Sequence, residues 1–164
     1  MLETSSVLLG RQPIGTVSQD VMERLKQMAV EAPLKRARLC LHSSHEDAVQ
    51  EMVIALHQST YIRPHRHQNG TESFHMIEGS VLIGFFEETG EIRETLQLQA
   101  DRRSIFLYRL SASFWHTVLP LTEFAVFHEV AKGPFTVAEY PAWEPENEPH
   151  AIQQFKNRVM MAIP

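Results

Sequence analysis

The sequence predicts a mainly β protein, a single antiparallel β-barrel with a short N-terminal helix and a C-terminal helical tail. Three observations predict it. Between residues 36 and 140, short segments rich in Val, Ile, Leu and Phe alternate with turn signals. No long helical period interrupts that stretch, which favours antiparallel pairing over strand–helix–strand units. Helical spacing is confined to the two ends.

Taken in order, Val7-Leu8-Leu9 reads as a short strand. Ser18 reads as an N-cap with Asp20 in the first turn, and Val21, Leu25, Met28 and Ala29 fall on one face of a helix that Pro33 stops. Strands are expected near 36–42, 49–57, 60–67, 72–78, 80–87, 91–98, 104–109, 114–119 and 123–131. Gly79 marks a tight turn, and Thr89-Gly90 a hairpin. Pro141, Pro145 and Pro149 then punctuate an acidic stretch with Glu144, Glu146 and Glu148, the composition of an extended surface segment. A last helix over 150–161 carries Ile152, Phe155, Val159 and Met160 on one side. The expected organisation is an extension over 1–34 packed on the barrel, the barrel itself over 35–140, and a C-terminal extension over 141–164.

Composition narrows the function. With 164 residues, 43% hydrophobic and 21% charged, the chain reads as one globular domain able to bury a core without disulfides. A net charge of −5 gives no general attraction to phosphate backbones, so nucleic acid is not an expected partner. Neither is a membrane: no apolar run approaches the ~18 residues a span needs. The N-terminus has no basic segment leading into an apolar core, and a cytoplasmic location is expected. The single cysteine, Cys40, lies in a strand and reads as a small buried hydrophobe. Nine histidines are the unusual feature, and their positions carry the chemistry.

The informative stretch is His65-Arg66-His67-Gln68-Asn69-Gly70-Thr71-Glu72, followed by Gly79. Residues i and i+2 of a strand share a face, so His65 and His67 project together. The turn at 68–71 returns Glu72 beside them. Two imidazoles and a carboxylate suit a borderline divalent ion. A further ligand must come from far along the chain, and His116, in Phe114-Trp115-His116-Thr117-Val118, sits on a later apolar strand that can lie opposite.

These residues resemble the two motifs of the cupin superfamily: the spacing from His65 to Gly79 matches the first, and Trp115-His116-Thr117-Val118 the core of the second. More narrowly, the chain resembles the WbuC-type cupin-fold metalloproteins. That likeness rests on Val49-Gln50-Glu51-Met52, Tyr61-Ile62-Arg63-Pro64, Glu72 to Gly79, Lys132-Gly133-Pro134-Phe135 and Ala142-Trp143, and it spans roughly residues 35–147. It implies a jelly-roll barrel holding one metal ion between His65, His67, Glu72 and His116, and a setting in surface-polysaccharide chemistry. The chain departs from the usual motifs at Ser59, at Ser111 and Ser113, and at Asp101-Arg102-Arg103-Ser104, where glycine or proline is common. None of these positions is a ligand.

Around the ion's expected place, alternation sets Tyr61 and Arg63 on the face of His65 and His67. Arg63 then either meets an anionic ligand inside the barrel, or pairs with a protein carboxylate or reaches out at the rim. His75, three residues after Glu72, falls on the opposite face unless a bulge intervenes, as a histidine that supports a ligand or lies at the surface rather than as a ligand. His128 either lines the cavity or is a satisfied core histidine. Gln50 alternates with Met52 and Ile54, as an interior amide does. Arg36, Arg38 and His42 share one face of an early strand, as an anion site or as a solvated edge. Trp115 reads as packing.

Three imidazoles and a carboxylate without thiolate suit a divalent transition metal such as Fe, Zn, Ni or Mn, or Cu(II). Four protein ligands leave open positions on a six-coordinate ion, as catalysis requires. The expected function is action on a small polar molecule, anionic or sugar-like, such as a sugar or sugar-nucleotide derivative, by isomerisation, epimerisation or oxygenation. Non-enzymatic binding of a sugar or anion is the alternative, and a purely structural metal the third reading. Exposed sheet edges make a homodimer the expected assembly.

Overall fold

The computed structural model describes residues 2–3, 6–10, 12–68, 70–101, 103–145 and 147–163. Asn69 of the expected 68–71 turn, Arg102 and Glu146 lie outside the described residues. The elements are β1 (Leu2–Glu3), β2 (Val7–Leu9), α1 (Gln19–Glu31), β3 (Arg36–Cys40), β4 (Val49–His57), β5 (Glu72–Glu78), β6 (Ser80–Phe86), β7 (Ile92–Gln99), β8 (Leu107–Leu110), β9 (Trp115–Pro120), β10 (Phe124–Lys132) and α2 (Pro149–Met160). Among the described residues the strands form two sheets, ordered β1-β2-β3-β4-β10-β5-β8 and β7-β6-β9. The expected barrel is therefore corrected to a sandwich: among the described residues no strand pairs across from one sheet to the other. The chain changes sheets at Gly79, between β5 and β6. A β-carbon there would stand 2.2 Å from the Phe124 carbonyl oxygen, and the residue has φ +73; glycine meets both demands.

Strict alternation sorts the larger sheet into two faces. Ile54, Leu56, Phe74, Met76, Tyr108, Leu110, Ala125 and Phe127 turn inward to meet Val81, Ile83, Phe85, Leu98 and Val118 of the smaller sheet. The outer face carries Leu39, Val53, Ala55 and Val126, which α1 covers with Leu25, Met28 and Ala29. Ser18 is the N-cap of α1 and Asp20 lies in its first turn, as expected, although the Ser18 side chain makes no capping hydrogen bond.

β6 is buried along its whole length. Its continuous apolar run, Ser80 to Phe86, is that of a strand covered on both faces. The second cover is α2, which sets Phe155 and Val159 against Leu82, Phe86 and Leu119. Gly84 lets the helix approach: a β-carbon would stand 3.0 Å from Val159 Cγ1. Phe155 stacks on Phe86 at 5.6 Å between ring centres and meets Tyr61 edge-on at 6.3 Å. Phe155→Ala is expected to cost about 3 kcal/mol or more, as truncation of a buried aromatic does, read as a lowered midpoint in urea unfolding.

One expected strand does not form. Residues 60–67 run as an extended segment tied only by single bridges, His65 to His116 and Arg66 to Glu139. Pro64 has no N–H to give a ladder, and side chains replace it: the Thr117 hydroxyl bonds the Ile62 carbonyl. The strand expected over 104–109 begins only at Leu107. No described helix is long and apolar enough to cross a membrane.

Candidate metal centre

His65 and His116 are placed by backbone first. Each donates its N–H to the other's carbonyl at 2.9 Å, so their side chains emerge side by side, with ring centres 4.4 Å apart. His67, two residues on, stands 5.1 Å from His65 and 6.2 Å from His116. Glu72 opens β5 on its inner face, 4% exposed, and brings Oε1 to 3.3 Å from His116 Nε2. Tyr108, opposite Phe74 on β8, donates its hydroxyl to the same Glu72 oxygen at 2.6 Å. The four expected ligands are thus brought together. Among the described residues, however, no group of three or more His, Cys, Asp or Glu stands in metal-holding geometry: the rings are gathered without their donor atoms converging.

Hydrogen bonding fixes how the rings present themselves. His65 Nδ1 lies 2.8 Å from the Arg63 carbonyl and His116 Nδ1 3.0 Å from that of Phe114. A carbonyl only accepts, so each Nδ1 carries the proton and each neutral ring has its lone pair on Nε2. His116 Nε2 is buried with no hydrogen-bond partner among the described residues. The 3.3 Å approach of Glu72 is ion-pair distance, but an imidazole that stays neutral makes no ion pair. Burial, the neighbouring His116 and His67 beyond it push the His65 pKa down to about 3. Burial pushes His116 down to about 4, against the favourable bond to Phe114. A buried lone pair with nothing to accept from, beside two more imidazoles and a carboxylate, fits a cation in that place.

The cluster opens into a cavity of about 1260 Å³ between the sheets, lined towards its other end by Arg36, Arg38 and Cys40 of β3. Gln50 is interior as expected, but its amide is committed: it donates to the carbonyls of Ser44, His45 and Asp47. Arg36 and Arg38 line the cavity from the inner face of β3, Arg36 half-buried and Arg38 exposed, which is consistent with both the anion-site and the solvated-edge expectation. Tyr61 lines the cavity while its ring packs on Phe155, and burial pushes its hydroxyl up to about 12. Arg63 lines the cavity, where it pairs with a protein carboxylate, one of the expected alternatives: half of its side chain is exposed, it pairs with Glu144 and it lies 3.7 Å over the Tyr140 ring. His75 is on the outer face of β5, exposed beside Phe106. His128 is on the outer face of β10, its Nε2 2.9 Å from Glu51 Oε1, and does not line the cavity.

Two functional candidates escaped the sequence reading. Tyr108 looked like one more aromatic of a short strand. Glu129 sat beside the more conspicuous His128, yet alternation with Ala125, Phe127 and Ala131 puts it on the inner face of β10, lining the cavity. Burial and the charge of Glu72 push its pKa up to about 8, with Arg38 pulling the other way.

The sequence model of a family described as "Domain of unknown function (DUF6016)" matches residues 17–98. No curated protein matches the chain. Among solved structures, protein SO0799 from Shewanella oneidensis is similar in fold, with a TM-score of 0.57 and 15% identity over 77% of this chain and 85% of that one. Bacillus subtilis oxalate decarboxylase, described for its Mn(II) centres, gives a TM-score of 0.47 and 19% identity over 57% of this chain and 24% of that one. The chain thus spans about a quarter of that enzyme's length. An HTH_3 family transcriptional regulator from Vibrio cholerae gives a TM-score of 0.47 and 20% identity, over 61% of this chain and 52% of that one.

Proposed function

The chain belongs to the DUF6016 family, and for this member, a cupin-like β-sandwich, we propose a divalent-metal protein acting on a small polar molecule held between the sheets. The observation that carries the reading is the orphaned Nε2 of His116, gathered with His65, His67 and Glu72 at the end of the cavity. Those four side chains would hold the ion. Fe, Zn, Ni and Mn are the candidates for a set of three imidazoles and one carboxylate. When bound, such an ion polarises a ligand oxygen and stabilises negative charge that develops there.

The residues around it do the rest. The carbonyls of Arg63 and Phe114 orient two rings, and Tyr108 holds Glu72. Glu129 is the candidate proton-handling group: its carboxyl lines the cavity, where burial raises its pKa, and a carboxyl so placed can give a proton to a ligand and take one back. That favours isomerisation or epimerisation over oxygenation. A sugar or sugar-nucleotide derivative, the substrate class implied by the WbuC-type likeness, fits that chemistry. The same reading has the chain cytoplasmic and paired as a homodimer through an exposed sheet edge, which light scattering would measure.

Titration with Co(II), followed by its visible absorption, tests the site. Wild type should saturate at one equivalent. Tyr108→Phe, which releases Glu72, should weaken binding by about tenfold to a hundredfold while the fold stays intact by circular dichroism. Equal affinity in the two proteins would show that the Tyr108 hydrogen bond does not support the site, and failure to saturate in wild type would sink the metal reading.

A further inference from the structure

Arg36 and Arg38 are i and i+2 on β3, so both side chains leave the same face of the strand. That face is the inner one, since Arg36 and Arg38 stand opposite Leu56 and Ile54, and both line the cavity. The smaller sheet covers the middle of the larger one and leaves β3 uncovered at the open end. Two guanidiniums therefore stand together at the open end of the cavity, Arg36 half-buried and Arg38 exposed. Their proximity is felt: after burial, the charge of Arg38 is the main influence lowering the Arg36 pKa. Neither makes an ion pair within 4 Å with a described carboxylate, whereas Arg63, Arg66 and Arg93 all do. Arg38 reaches the Cys40 thiol and acts on Glu129 from a distance.

The cavity as a whole repeats this bias. Five cationic side chains and three carboxylates line it, although the chain carries a net charge of −5. Of the three, Glu144 is taken by Arg63. Holding like charges side by side without a counter-ion is unfavourable, and an oxyanion accepting hydrogen bonds from both forks relieves it.

We propose that Arg36 and Arg38 form an anion-binding subsite for a carboxylate or phosphate group of a small metabolite whose other end reaches the histidine cluster. It shares the cavity of the proposed metal centre and names the charged end of its ligand, but it rests on different side chains. Sheet order puts β3 three strands from β5, about 14 Å sideways, and the register sets Arg38 and Arg36 further along the sheet than the row that joins Glu72, Ala131 and Gln50. Even with the arginine side chains reaching inward, a ligand that meets both ends is an extended one, of sugar-nucleotide rather than small organic-acid length.

Isothermal titration with inorganic phosphate and, separately, malonate tests the subsite. The proteins are wild type, the double variant R36Q/R38Q, and R103Q/R109Q, which removes the same charge from exposed positions off the cavity. Saturable binding of at least one anion to wild type and to R103Q/R109Q, weakened tenfold or more in R36Q/R38Q, is expected; which anion binds distinguishes a phosphate from a carboxylate ligand. If the double variant does not fold, R36Q and R38Q must each weaken binding. No saturable binding of either anion to wild type overturns the proposal, as does equal affinity in R36Q/R38Q. Metal content, measured on the same samples, should be unchanged by the arginine substitutions; its absence in wild type would sink the metal reading and leave the anion result standing.

Discussion

Replacing His116 by alanine should lower metal affinity by more than ~100-fold, beyond the effect of losing an outer partner, with the protein still folded. His116 is the most enclosed of the four, at 1% exposure, and its backbone bridge to His65 survives the substitution because it is made by main-chain atoms. What disappears is a nitrogen already oriented, desolvated and, among the described residues, without a hydrogen-bond partner. Removing an unsatisfied buried polar atom also costs the apo fold less than deleting a satisfied one would. Competition with a chromophoric chelator measures the affinity, and urea unfolding of the apo protein measures the fold. An affinity within tenfold of wild type would exclude His116 as a ligand.

The metal-free protein should be most stable at about pH 6, falling on both sides. The acid limb comes from the histidines. In the unfolded chain they take up protons around pH 6.5, whereas His65 and His116 when folded resist until about 3 and about 4. The unfolded state therefore binds more protons, and stability is lost as pH falls from about 6.5 towards 4. The alkaline limb comes from Glu129, whose pKa is raised from 4.5 to about 8 on folding. Its stabilising contribution is complete below the unfolded value and is lost as pH rises from 4.5 through 8. Glu129→Gln, which makes the neutral form permanent, should flatten the alkaline limb and leave the acid limb alone. Urea midpoints measured every half unit from pH 4.5 to 9 give both slopes. An unchanged alkaline limb in the variant would place the titrating group elsewhere.

Much of this architecture is legible in residue order, for reasons that can be named. α1 shows its apolar stripe and Asp20 in its first turn, and α2 its Phe155 and Val159. β4, β5 and β10 show alternation with one buried face. The His-x-His pair, Glu72 and His116 were recognisable because chelating side chains are rare and their spacing is strict. Three things did not show. The segment 60–67 reads as a strand because Tyr61, Ile62 and His65 suit one, but Pro64 leaves it anchored by single bridges, and Arg63 pairs with Glu144 at the cavity. A sandwich and a barrel share the same alternation, so closure depends on where the sheets stop pairing, which residue order does not encode. Glu129 was hidden by its neighbour: a histidine draws notice, but His128 spends itself on Glu51 at the surface, and the inward carboxylate beside it is the one that meets the cavity.

The central claim is that His65, His67, Glu72 and His116 hold one metal ion. The most direct measurement is metal content by mass spectrometry on untagged protein, wild type beside His67→Ala, with folding checked on the same samples. The account predicts about one equivalent of a single transition metal in wild type and its loss in the variant. Equal metal in both, or none in either with both proteins folded, would contradict it.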